Sequence, residues 1–146
     1  MSDSGAKRNG IDNARDKVVS RGVLLDIPQA KGRKWFAPGE GILPEGLNED
    51  AAREGAQVGE GGIALMRAGQ LAMVREQGNW GDYAGGPAPG LALESLEWIW
   101  SYRIAALATD IWGAEIPPNA TPDIFQPVHC CVYCVYGAAG GRDLRS

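Results

Sequence analysis

The chain has 146 residues, 45% of them hydrophobic, enough for one globular domain with a sizeable core and too few to expect two. Fourteen Lys and Arg against eighteen Asp and Glu leave a net charge of -4, with the two signs interleaved along the chain. The densest basic cluster, Lys31, Arg33 and Lys34, is too short for a nucleic-acid patch, so nucleic acid and anionic membrane surfaces are not expected partners.

Residues 1–10 are polar and lack an apolar signal core, and no run reaches the roughly 18 apolar residues that would span a bilayer. These features lead us to expect a soluble, cytoplasmic protein. The polar stretch 1–10 reads as a flexible lead-in, residues 11–136 as the folded domain, and 137–146 as a Gly-rich divergent tail.

Taken in chain order, short apolar runs alternate with amphipathic stretches, which predicts an α/β fold. Val23 to Ile27 is a nearly continuous apolar run stopped by Pro28, so we expect a strand buried on both faces. Leu47 to Ala56 follows as a short helix capped by Asn48. Gly62 to Met66 predicts a second strand. A helix over Ala68 to Gln77 ends at Gly78.

Gly78 to Gly90 is too rich in glycine and proline for regular structure. Trp80 and Tyr83 within this loop either cover a ligand pocket or anchor the loop to the core. Leu91 to Arg103 is the clearest helix, with Leu93, Leu96, Trp100 and Ile104 at helical spacing. Ile104 to Thr109 predicts a third strand, and Val132 to Tyr136 a fourth. So few strands leave edges and faces to cover, which points to an incomplete sheet or to pairing with another copy.

Asp110 and Glu115 flank Trp112 beyond the third strand, at the end where parallel sheets place ligands. They form a pocket wall or a polar turn into Pro117 and Pro118. The single histidine, His129, is followed by Cys130, Cys131 and Cys134. A zinc clip needs tetrahedral convergence of these groups, yet neighbouring residues on a strand face opposite ways. As a redox pair, the C-x-x-C lacks the helix start that lowers a thiol pKa. A serine nucleophile is not supported, because no G-x-S-x-G occurs.

The order of motifs resembles the cyclase family, the group that includes kynurenine formamidase. The resemblance rests on IDNARDKVVSRGVLLDIP at Ile11 to Pro28 and on Pro38, Gly39, Ile42, Pro44 and Leu47. It continues through VGEGGIALMRAG, where Gly61-Gly62 stands for the family's Gly-Asp, and through PGLALESLEWI, ATDIWGAE and the PVH of Pro127 to His129. It implies a swivelling β/β/α domain, incomplete in this chain, and a divalent zinc or manganese ion. The implied reaction is hydrolysis of an amide or formamide of the N-formylkynurenine type, the small-molecule substrate class of the family.

In that chemistry the metal lowers the pKa of its water and polarises the scissile carbonyl, which takes three or more protein ligands and an open position. Of the implied ligands only His129 has a counterpart here. The family's H-x-G-T-H-x-D motif is absent, and Gly141 stands about where its late glutamate belongs. The expectation is therefore a hydrolase of this lineage, inactive as written, with Trp80, Tyr83, Asp110 and Trp112 as the candidate substrate pocket. The competing expectation is a non-catalytic remnant of the fold acting as an interaction or scaffold domain, with homo-oligomerisation open in both cases.

Overall fold

A computed structural model of the chain describes residues 15–16, 18–121 and 123–132. The elements run β1 (Gly22–Asp26), α1 (Ile27–Ala30), β2 (Gly41–Ile42), α2 (Pro44–Arg53), β3 (Ile63–Arg67), α3 (Gln70–Gln77), β4 (Gly90–Leu91), α4 (Ser95–Ser101) and β5 (Ala106–Thr109). Residues 127–132 are also helical. The fold is mixed α/β with parallel strands, as the alternating pattern implied.

β1, β3 and β5 form a parallel sheet in the order β1-β3-β5, with Leu24 opposite Leu65 and Leu65 opposite Ala108. Parallel strands need crossovers, and the amphipathic segments between the strands supply them. The strands are not buried on both faces. Val23, Leu25, Ala64 and Met66 point into the core, whereas Leu24 is 56% exposed and Leu65 39%. The continuous apolar run hid this two-fold alternation, because the outward positions are themselves leucines.

The core gathers Leu25, Ile27, Phe36, Ile42, Leu47 and Met66 with Leu91, Trp98 and Ile99. α2 begins at Pro44, a residue whose fixed φ and missing N–H suit the first helical position, so Asn48 lies inside the helix rather than capping it. The Asn48 Oδ1 instead accepts from Trp98 Nε1 at 2.8 Å and from the Tyr102 hydroxyl at 3.2 Å, tying α2 to α4. α3 ends at Gly78, whose φ of 71° is the left-handed geometry glycine adopts without strain.

α4 is shorter than its sequence pattern suggested. Gly90 and Leu91 are strand, and the buried face is Ser95, Trp98 and Ile99, while Trp100 is 55% exposed. The Ser95 hydroxyl donates to the Ile42 carbonyl at 2.6 Å, which pins the start of the helix to β2.

β2 and β4 form a second, parallel pair, with Gly41 opposite Gly90 and Ile42 opposite Leu91. Glu115 extends this pair as a further parallel bridge to Leu91. Leu91 N donates to Ala114 O at 2.9 Å and Ile116 N to Leu91 O at 3.1 Å. This small ladder sets the position of Glu115. The expected fourth strand is not seen where it is described: Val132 is helical, and residues 133–136 lie outside the described set, as do Cys134, residues 1–10 and the tail 137–146.

Candidate functional site

Glu115 is 3% exposed, a burial that a carboxylate tolerates only with partners. Its Oε2 accepts from Val128 N at 3.1 Å, and its Oε1 accepts from His129 N at 3.2 Å. The same Oε1 lies 2.5 Å from His129 Nδ1. The His129 side chain is 30% exposed. It stands on the helical segment 127–132, so the strand geometry weighed for a zinc clip at His129, Cys130 and Cys131 is corrected.

Two left-handed residues shape the approach of this pair. Ala114 has φ 57° and Gln126 φ 54°, a geometry that costs energy at any residue with a Cβ. Each stands immediately before one end of the Glu115 to helix contact. Gly90 makes the other close approach: a Cβ there would fall on the Glu115 carbonyl carbon.

Glu115 is also a shared wall of two adjoining cavities. The larger, about 440 Å³, is bounded by Trp112, Phe125, Gln126, Asn119 and the backbone of Gly85 and Gly86. The smaller, about 200 Å³, lies on the side of Leu91, Pro127 and Val128. His129 lines neither. The larger space pairs apolar surface with a few amide groups and a carboxylate, the mixture typical of a small-molecule pocket.

Among the pocket residues expected from sequence, Trp112 is the one the fold brings to this cavity, and its Nε1 donates to the Gly86 carbonyl at 3.3 Å. Trp80 is 63% exposed and meets Tyr83 edge to face at 5.1 Å. The Tyr83 hydroxyl donates to the Asp110 carbonyl at 3.3 Å. Partial burial pushes the Tyr83 phenol up from its ordinary value, and the nearby charge of Asp110 adds to the shift. Tyr83 is thus fastened to the turn after β5.

Asp110 is fully engaged. Its Oδ1 accepts from Ala68 N at 2.7 Å and its Oδ2 from Gly69 N at 2.9 Å, which closes the turn between β3 and α3. The sequence grouped Asp110 with Glu115, but the fold gives the two carboxylates separate tasks. Phe125, Asn119 and Gln126 carry no motif, and only the folded loop reveals them.

Residues 3–116 match the profile of the Cyclase family, described as "Putative cyclase". The chain belongs to this family. The matched span stops at Ile116, short of His129. Among solved structures, this cyclase-family chain is similar to a crystal structure described as that of a novel cyclase, with 26% identity and a TM-score of 0.64. The similarity covers 75% of this chain and 36% of that one, so the chain spans about a third of that relative's length. No curated protein matches by sequence.

The zinc or manganese implied by the family resemblance does not fit the residues described. No group of three or more His, Cys, Asp or Glu is placed to hold a metal ion among them. Glu115, which lies against His129, already accepts two backbone N–H groups and faces the ring. Cys130 is exposed and Cys131 partly so, on a helical segment rather than a strand. No helix among the described residues is long and apolar enough to cross a membrane.

Proposed function

We propose that this cyclase-family chain carries one wall of a small-molecule site whose reaction class is hydrolysis of an amide or formamide, with N-formylkynurenine as the model substrate. The observation that supports this reading is the buried Glu115, bonded to His129 and facing a cavity of about 440 Å³. Trp112 and Phe125 offer the cavity flat apolar surface, and Asn119 and Gln126 offer hydrogen bonds that would orient a planar amide. Trp80, Tyr83 and Asp110 act from outside the cavity, holding the glycine-rich loop that forms its rim.

The chain by itself is proposed to be catalytically silent, because His129 is its single histidine and hydrolysis in this family calls for a metal held by several ligands. Hydrolysis of N-formylkynurenine, followed by absorbance with zinc or manganese added in turn, is the test. We expect no turnover above buffer, and sustained metal-dependent turnover by the isolated chain would refute the silence.

A second reading, a non-catalytic interaction domain, is favoured by one observation. Leu24 and Leu65 lie side by side on the outer face of the sheet, and Val18 and Val19 are 60% and 91% exposed. Light scattering after size-exclusion chromatography discriminates here. A stable oligomer formed without metal supports an interaction domain, and a monomer argues against it.

A further inference from the structure

Glu115 and His129 are fourteen positions apart in sequence, yet a single carboxylate reaches three hydrogen atoms on the helical segment 127–132. Each oxygen accepts one backbone N–H, from Val128 and from His129. An ionised carboxylate is an acceptor on both oxygens and has no proton to donate. The third partner, His129 Nδ1 at 2.5 Å, must therefore supply a hydrogen. In the neutral imidazole this places the proton on Nδ1 and leaves Nε2 as the basic nitrogen.

We propose that Glu115 is a positioning residue for His129, fixing the ring in its Nδ1–H tautomer and its orientation in the same contact. A buried carboxylate behind an imidazole is the general device by which proteins decide which ring nitrogen does chemistry. The two backbone N–H bonds immobilise the carboxylate, and the ladder to Leu91 immobilises the backbone that carries it. The ring thus inherits the rigidity of the β2-β4 pair. The inference rests on the reading above of Glu115, bonded to His129, as the buried wall of the site, and it names how that imidazole is set.

The single histidine makes the test direct, since one ring gives one set of imidazole signals. The full chain, labelled with ¹⁵N, is observed by long-range ¹H–¹⁵N correlation at a pH well above the ordinary imidazole pKa of about 6.5. We expect a protonated Nδ1 and an unprotonated Nε2 in the folded chain. Glu115→Ala should lose that preference, and so should the unsubstituted chain unfolded in urea, a control that does not depend on the variant folding. An Nε2–H ring in the folded chain would overturn the proposal, as would a folded Glu115→Ala that keeps the parent's pattern. A purely structural role for Glu115 would lower stability without moving these signals. The readout is independent of hydrolysis, so a chain that turns over no formamide leaves the tautomer result standing.

Discussion

Replacing Gly90 with alanine tests whether the Glu115 ladder is as tightly closed as its geometry requires. A Cβ at Gly90 would lie 2.5 Å from the Glu115 carbonyl oxygen and 2.5 Å from Ile116 N, besides falling on the Glu115 carbonyl carbon. Non-bonded heavy atoms settle near 3.5 Å, so the strand and the 114–116 segment must part by about 1 Å. Such a shift strains two hydrogen bonds, Leu91 N to Ala114 O and Ile116 N to Leu91 O. Two strained bonds at about 1 kcal/mol each, with overpacking of about 1–3 kcal/mol, predict a loss of about 3 kcal/mol or more. For a domain of this size that lowers the thermal midpoint by roughly 10 °C. Gly59→Ala is the matched control, because a Cβ there meets nothing within 4 Å. Urea unfolding followed by tryptophan fluorescence measures both variants. If Gly90→Ala stays within about 0.5 kcal/mol of the parent while Gly59→Ala behaves the same, the close approach is not real.

Three further substitutions probe the surroundings of the site. Asp110→Ala removes the acceptor for Ala68 N and Gly69 N and should cost about 1–3 kcal/mol in urea unfolding, with Asp110→Asn losing less. Ala114→Gly relieves a φ of 57° and should gain up to about 1 kcal/mol in the same assay; a clear loss would show that the left-handed geometry is not occupied. Glu40 is held below the ordinary carboxylate range chiefly by its hydrogen bonds with Arg33, opposed next by burial, with the Ala37 N–H and the charges of Arg33 and Lys31 adding to the lowering. Because its folded pKa is the lower one, its contribution is present above the unfolded pKa of about 4.5 and fades as pH falls through the folded value. Glu40→Gln should therefore lower the thermal midpoint slightly at pH 7 and not at strongly acid pH, and high salt should shrink the difference.

The elements that could be read from sequence are those whose determinants are local. β1, β3 and β5 announce themselves as short apolar runs, and Gly78 stops α3 where a left-handed residue is needed. The pattern misled where an exposed position carries an apolar residue. Leu24 made β1 look buried on both sides, Leu93 made α4 look longer than it is, and Trp100 turned its apolar face the wrong way. Asn48 resembled an N-cap, but its amide is used across the fold by Trp98. A helix start at Pro44 satisfies the backbone without it.

The site was less legible because nothing in it is local. Trp112 stands beside a turn at the carboxyl end of a strand, where ligands gather in parallel sheets, and the fold brings it to the larger cavity. Glu115 stands in the same turn and looked equivalent to Asp110. What separates them is the identity of the hydrogen donors each one meets: main-chain groups of the β3–α3 turn for Asp110, and a helix carrying the only imidazole for Glu115. Those donors lie 41 and 42 residues back in one case and 13 and 14 residues ahead in the other. Spacing within the motif carries no trace of either. The family profile covers Glu115 and ends before His129, so the contact joins a residue inside the matched span to one outside it. The tautomer of His129 therefore reports whether the segment beyond Ile116 returns to the ladder, which the family match does not.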